Sequence, residues 1–256
     1  MTNSPTGAIA LNTFREAVRD RVLYLLMFFA LAWISSARVV ALMTVGSEAK
    51  IVKDLGLAAI ELVGVLIAVL IGVGLVFKEI EKRTVHVLLA RPIHRWQFLL
   101  GKYLGLAAVV SLNTLVMTAC LHLLLATHGE ADFSLLPAIG LLWIEQLVMI
   151  SVALLFSSFS SPILSSVFTL SVFVMGHLSW SLRLLERRMT TTAGRLLCET
   201  LYWLLPNLER LNLKAEAVHR VPIPSVQIVL AAAYGIAWSV LLVALAAAVF
   251  SRRDFT

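Results

Sequence analysis

Charged residues and cysteines are scarce in this chain of 256 residues. Only 14% of the residues are charged, and the 2 cysteines, Cys120 and Cys198, lack the paired spacing of a metal knuckle or a redox motif. The nucleotide-binding pattern Gly-x-x-x-x-Gly-Lys-Ser/Thr does not occur either, because Gly101-Lys102 lacks the required flanking residues. We therefore expect no structural disulfide, no cysteine metal site and no nucleotide bound by this chain itself.

Apolar residues instead fill most of the sequence, in blocks of bilayer length. They make up 60% of the chain, which is more than one soluble core holds. Lipid offers backbone groups no partner, so blocks of roughly 20 apolar residues without strand alternation predict helices. We predict an all-α membrane protein, a single transmembrane domain over residues 1–256, with six spans at 22–45, 55–77, 103–126, 135–156, 163–182 and 226–250.

The first apolar block could be mistaken for a secretory signal, since Ser35-Ser36-Ala37 loosely resembles a cleavage site. A signal rarely has a polar leader this long with Glu16 and Asp20 inside it, so a retained first span is the preferred interpretation. Ahead of it, an apolar helical face and a polar face predict an interfacial helix at the cytoplasmic leaflet. The apolar face comprises Ala10, Leu11, Phe14, Ala17 and Val18.

Basic residues indicate the orientation of the spans. Three arginines precede the first span, six Lys/Arg lie within 78–102, and Arg252-Arg253 follow the last span, so these loops and both termini are predicted to be cytoplasmic. The net charge of +6 is thereby explained without nucleic acid, with anionic membrane lipid as the partner. A bacterial inner membrane is the predicted location.

The segment 183–224 disagrees with this orientation, because it would face outward although it contains seven Lys/Arg. Long and amphipathic loops weigh less in the rule. Leu197, Leu201, Leu204, Leu205 and Leu208 recur at helical spacing, with an interruption at Pro206, and Tyr202-Trp203 suit headgroup depth. An outer gate helix and a passive interfacial connector both remain open.

The segment between the second and third spans is too long for a passive turn. Thr84 can cap a short helix through Leu89, and Pro92 suits the first turn of a second helix that continues through Lys102. Such a pair of helices can seat Leu88 and Leu89 in a partner's groove. Charge and spacing alone leave open a loop whose basic residues only anchor lipid headgroups.

The same segment resembles the coupling region of permeases in the type 2 ABC exporter superfamily. The resemblance is carried by Glu79, Glu81, Arg83, Thr84, Leu88, Leu89, Arg91, Pro92, Arg95 and Lys102, with Arg83 standing where many members have glycine. The helix before the first span, the Leu204-to-Lys214 segment and the terminal Phe250-to-Phe255 segment resemble the same group. The last two look closest to the branch linked to multicopper-enzyme maturation.

The resemblance implies a permease subunit that is not itself an enzyme. It implies a second permease, often an identical copy, above two ATP-binding-cassette subunits that hold ATP and Mg²⁺. ATP hydrolysis on those separate subunits would drive transport, in the direction of export, through the segment 79–102. No cofactor is expected in this chain.

Ionisable residues inside predicted spans are the candidates for a transport path. Glu61 and Glu145 lie where a charged carboxylate is costly, and His177 lies near the end of the fifth span. Each could equally be an interhelical hydrogen-bonding residue. Arg38, near the outer end of its span, is read as a lipid-facing anchor.

Two other groups of residues carry little chemistry. His122, His128 and Cys120 lie near the outer end of the third span, but the two histidines are six positions apart and do not share a helix face, so no metal site is predicted. The Ser157–Pro162 stretch has no Gly-x-Ser-x-Gly elbow and is interpreted as a turn.

Two rival functions remain. An intramembrane enzyme acting on lipid or peptide would need paired acidic or histidine residues at one membrane depth, for which Glu61, Glu145 and His177 look too scattered in the sequence. A membrane scaffold of an ATPase complex would bind the ATPase without moving any cargo.

Overall fold

The all-α prediction is confirmed for the residues that the structure describes, among which there is no strand. The computed structural model describes residues 5–42, 48–75, 77, 94–127, 129, 132–189 and 191–252. Its helices are α1 (Pro5–Val18), α2 (Arg21–Leu42), α3 (Glu48–Leu66), α4 (Arg95–Ala126), α5 (Leu136–Ser157), α6 (Pro162–His177), α7 (Ser179–Arg188), α8 (Thr192–Leu204), α9 (Lys214–Val218) and α10 (Ser225–Arg252). A π-helical segment, Ile67–Gly72, continues α3, and 3-10 turns cover Phe133–Leu135 and Leu208–Leu211.

Five helices in the described part of the chain are long and apolar enough to cross a membrane, and a bent pair makes a sixth candidate. The five are Arg21–Ala41, Glu48–Leu75, Arg95–Ala126, Phe133–Ser157 and Ser225–Ser251. The pair is Pro162–His177 with Ser179–Glu186. Each overlaps one predicted span, so a multi-pass membrane protein is confirmed.

The fifth predicted span, 163–182, corresponds to the bent pair and is not one continuous helix. Its two parts, α6 and α7, are bent by 67° at Leu178. The Ser179 hydroxyl donates to the Gly176 carbonyl at 2.7 Å, an acceptor that a continuing helix would use for its own ladder. Glycine is also a poor helix former, so the chain breaks here at small cost.

The interior of the bundle is built around α3 and α5. Ile60, Val63 and Leu154 are fully buried there. Gln146 on α5 ties three helices together, because its amide donates to the Ile60 carbonyl at 3.0 Å and accepts from the Thr114 hydroxyl at 2.8 Å. Interhelical hydrogen bonds of this kind position membrane helices that have no hydrophobic driving force between them.

The first helix packs along the start of α4. A Cβ at Gly101 would lie 2.7 Å from Ile9 Cβ, and one at Gly105 would lie 2.7 Å from the Ala10 carbonyl oxygen. These glycines are four residues apart, the spacing that lets membrane helices approach closely. The helix predicted ahead of the first span is thus present as α1, with Thr13 and Ala17 buried against the bundle; its place at the membrane interface stays a prediction.

The segment after α8 folds back into the bundle before α10 begins. Leu208, Leu211 and Leu213 are buried, as are Ala217 and Val218 on α9. The predicted leucine-rich helix ends at Leu204, ahead of Pro206, and Leu208 belongs to a separate 3-10 turn. This inward-folded segment, residues 205–218, carries polar side chains to the middle of the bundle.

Candidate functional site

Glu61, Glu145 and His177 meet in the bundle interior, which corrects the expectation that they are scattered. His177 Nε2 lies 3.0 Å from Glu145 Oε1 and 3.2 Å from Glu61 Oε1. One ligand atom from each residue lies within 4.8 Å of the other two. We call these residues, together with Lys214, the polar cluster.

The polar cluster lies well inside the apolar part of the bundle. Glu61 is eight residues beyond Lys53 on α3, or about 12 Å along the helix. Glu145 is nine residues beyond the start of α5, or about 14 Å. Both carboxylates contact the same nitrogen of His177 and therefore occupy similar depths, and the Glu145 side chain is only 1% exposed.

Lys214 supplies the cation of the cluster. Its ammonium pairs with Glu61 Oε2, although 153 positions separate the two residues. Sequence reasoning missed Lys214, since it was counted among the basic residues of an outer segment. The apolar Leu211 and Leu213 just before Lys214 were the available signal that this part of the segment enters the bundle. Only tertiary structure shows the partner of Lys214.

Glu209 forms the outer edge of the cluster. Its Oε2 lies 3.5 Å from His177 Nδ1 and accepts a hydrogen bond from Asn212 Nδ2 at 3.2 Å. Both residues come from the inward-folded segment. The two ring nitrogens of His177 therefore face carboxylates on opposite sides.

Small residues allow the inward-folded segment to reach this depth. A Cβ at Gly176 would lie 2.9 Å from the Pro206 carbonyl oxygen and 2.7 Å from Leu208. The Tyr234 hydroxyl accepts from the Asn207 amide at 2.8 Å, and the Arg210 guanidinium lies 5.0 Å from the centroid of the Tyr234 ring. Contacts with α6 and α10 thus hold Glu209 beside His177.

A second ion network lies nearer the ends of α3 and α5. Asp132 Oδ2 accepts from Lys53 Nζ at 2.7 Å and from Arg220 Nε at 3.0 Å, and its Oδ1 accepts from the Ser134 amide at 3.0 Å. Burial opposes ionisation of Asp132, but the hydrogen bonds from Lys53, Ser134 and Arg220 outweigh burial and hold the pKa below its usual range.

The two ion networks bear on the basic segment 183–224. Two of its seven Lys/Arg, Lys214 and Arg220, are paired with carboxylates of the bundle. A third, Arg183, stacks 4.2 Å from the centroid of the Tyr202 ring. Paired charges do not act as free cytoplasmic anchors, which weakens the objection to an outward-facing segment.

Most of the predicted coupling residues lie outside the described residues: Glu79, Glu81, Arg83, Thr84, Leu88, Leu89, Arg91 and Pro92. Arg95 opens α4 and donates to the Ser251 carbonyl at 3.0 Å, at the end of α10. Lys102 is fully buried, with its ammonium 5.9 Å from the centroid of the Phe98 ring. Arg95 and Lys102 thus contact the bundle itself.

A groove of about 490 Å³ opens between α4 and α5. His122 lines it, and the Nδ1 of this residue lies 2.9 Å from the Thr118 carbonyl of its own helix. Cys120 is on the same helix, and His128 lies outside the described residues. In the described part of the chain these side chains do not form a ligand group, whereas Glu61, Glu145 and His177 do.

The comparisons with known proteins point to one family. The family model of ABC-2 family transporter proteins matches residues 7–255, which is nearly the whole chain. No curated protein matched the sequence. The match includes all but the first two residues of α1, every candidate span and the inward-folded segment.

Proposed function

Because this chain belongs to the ABC-2 transporter family, we propose that it couples ATP hydrolysis on a separate nucleotide-binding subunit to export across the inner membrane. Family membership makes it the permease component of an ABC transporter and a multi-pass membrane protein. The family match over residues 7–255 is the observation that carries the proposal. ATP and Mg²⁺ belong to the partner subunit.

The segment 79–102 is the proposed joint between permease and ATPase. The apolar pair Leu88-Leu89 enters the groove of the ATPase, and the arginines of the segment orient the contact. Arg95 supports this role, since it links the start of α4 to the last turn of α10. Movement of this segment would thus be transmitted to both α4 and α10.

A second permease, an identical copy, completes the proposed transporter. The exposed apolar side chains of α2, which include Tyr24, Leu25 and Phe28, offer a surface for lipid or for that copy. Both termini are proposed to be cytoplasmic. The polar cluster then lies near the middle of the membrane, since Glu61 and Glu145 are close to the midpoints of Glu48–Leu75 and Phe133–Ser157.

Co-purification in mild detergent tests the proposal. The wild-type chain should carry a nucleotide-binding subunit and support ATP hydrolysis. The Leu88→Ala/Leu89→Ala variant should insert normally but lose the subunit or its transport-linked ATPase activity. Leu196→Ala/Leu197→Ala on the exposed face of α8 is the matched control and should retain both. Full transport and partner binding by the Leu88/Leu89 variant would overturn the coupling role.

The convergence of Glu61, Glu145 and His177 also favours one rival, an intramembrane enzyme. These residues could serve as acid and base, which their separation in the sequence argued against. Turnover of lipid or peptide by the purified chain, without any ATPase, would support that rival. Loss of such turnover in His177→Asn but not in His122→Asn would locate it.

A further inference from the structure

The distances around His177 match those between the ligands of one metal ion. Zinc bonds to histidine nitrogen and carboxylate oxygen are about 2.0–2.2 Å long, so neighbouring ligands of a tetrahedral ion lie roughly 3.3 Å apart. The two measured distances from His177 Nε2, 3.0 Å to Glu145 Oε1 and 3.2 Å to Glu61 Oε1, are close to this value. With the third pair, Glu61 and Glu145, also within 4.8 Å, donors from α3, α5 and α6 are close enough together to share one ion.

The other nitrogen of His177 has the outer contact that metal-binding histidines require. A ligating imidazole almost always donates its second N–H to a carboxylate, carbonyl or water, which fixes the tautomer and the ring orientation. His177 Nδ1 faces Glu209 Oε2, and Asn212 in turn donates to that oxygen. This arrangement leaves the Nε2 lone pair directed at the two cluster carboxylates.

Glu145 has a coordinating atom to spare. The residue is 0% exposed, and its Oε2 accepts no hydrogen bond from any described residue. An uncompensated carboxylate oxygen in an apolar bundle is costly. A cation beside Glu145 would remove that cost.

The charges of the cluster balance around a divalent ion. The site contains three carboxylates, those of Glu61, Glu145 and Glu209. Lys214 neutralises the charge of Glu61 through its contact with Glu61 Oε2. Two negative charges remain when His177 is neutral, as a metal ligand must be. Glu61 Oε1 is the oxygen turned toward His177, so Lys214 need not leave for an ion to bind.

We propose that Glu61, Glu145 and His177 form a binding site for a divalent transition-metal ion of the Zn²⁺ class, with Glu209 orienting His177 and Lys214 balancing Glu61. One nitrogen and two carboxylate oxygens suit Zn²⁺ and its divalent neighbours. Cu(I) prefers thiolate or thioether ligands, and neither cysteine belongs to this ligand group in the described part of the chain.

An ion can reach the site from the side of the inward-folded segment. The His177 side chain is 19% exposed and that of Lys214 is 21% exposed, whereas Glu145 lies behind them. Glu209, at the mouth, adds negative charge that attracts a cation. The ligands thus come from α3, α5 and α6, whereas Glu209 and Lys214 at the entrance come from the inward-folded segment.

Metal titration of the full-length protein tests the site. The chain is purified in detergent, stripped with a chelator and titrated with ZnCl₂ against a chromogenic competitor. We expect one ion per chain, and CoCl₂ should give the visible bands of a tetrahedral nitrogen–oxygen site. His177→Asn should abolish binding, and Glu209→Gln should weaken it by about 10–100-fold. His122→Asn and Glu199→Gln are matched controls and should bind as the wild type does.

Glu209→Gln and Lys214→Met still test the site if His177→Asn fails to fold. Glu209 is 48% exposed, so Glu209→Gln leaves the packing intact while it removes the charged outer partner of His177. Lys214→Met should bind Zn²⁺ at least as tightly as the wild type, and Zn²⁺ should raise its Tm more, because the ion takes over the neutralisation of Glu61.

Several results would overturn the proposal. Wild-type protein that binds no Zn²⁺, or binds it only after Lys214 is replaced, would make the cluster an internal ion pair. Binding that persists unchanged in both His177→Asn and Glu209→Gln would place the ion elsewhere. The titration needs no ATPase partner, so its failure would leave the transporter function untouched.

Discussion

His177 Nε2 lies 3.0 Å from Glu145 Oε1, although the two residues are 32 positions apart in the chain. The contact joins the last residue of α6 to the most buried part of α5. It forms where the fifth span breaks, so the break places an imidazole inside the bundle instead of ending the helix at the surface.

Adding a methyl group at Gly64 should destabilise the fold. A Cβ there would lie 2.1 Å from Gln146 Nε2, and that amide already bonds to Ile60 and Thr114. We expect Gly64→Ala to cost about 1–3 kcal/mol through overpacking. Thermal unfolding in detergent measures this. Gly140→Ala, where nothing lies within 4 Å, should be neutral or slightly stabilising. Equal melting temperatures for the two variants would contradict the packing.

The pair of Glu61 and Lys214 should behave as a coupled unit. Lys214→Met leaves the Glu61 carboxylate without its cation, and we expect a cost of about 1.5–3 kcal/mol. Adding Glu61→Gln should recover part of this loss, with a coupling energy of about 0.5–3 kcal/mol. A double-mutant cycle on unfolding provides the measurement. Lys50→Met, on the exposed face of α3, is the control, and additive effects would argue against the contact.

Acid should weaken the Asp132 network. The folded protein holds the pKa of Asp132 below its ordinary value of 3.8. The ionised carboxylate therefore contributes stability above that value, and the contribution is lost as the pH falls below it. We expect Tm to fall more steeply in wild type than in Asp132→Asn between pH 5 and pH 3. Parallel pH profiles would show that Asp132 is not linked to folding.

The contact between α1 and α4 should depend on Gly105. A methyl group there meets the Ala10 carbonyl oxygen at 2.7 Å, a backbone atom that only a shift of α1 can move. In Gly105→Ala we expect faster amide hydrogen exchange within α1 and little change elsewhere. Gly74→Ala, which meets nothing within 4 Å, serves as the reference. Unchanged exchange in α1 would indicate that the helix packs differently.

Local residue pattern was sufficient for the helix class, the approximate spans and the family. Apolar blocks such as Leu55–Phe77 can be recognised as spans from sequence alone. A bilayer requires a helix of fixed length, and such a helix makes all its backbone hydrogen bonds within itself. The spacing Gly101-x-x-x-Gly105 also indicates that another helix packs closely here, although the sequence interpretation did not use it. It predicts a tight contact, but it does not identify α1 as the partner.

The sequence by itself determined that this is a helical membrane protein of the ABC-2 type, because hydropathy and local motifs depend on neighbouring residues alone. Tertiary structure decided the break at Leu178, the inward fold of 205–218 and the meeting of Glu61, Glu145, His177 and Lys214. Those contacts join residues 32 to 153 positions apart. No local spacing specifies them, since they depend on how four separate elements pack.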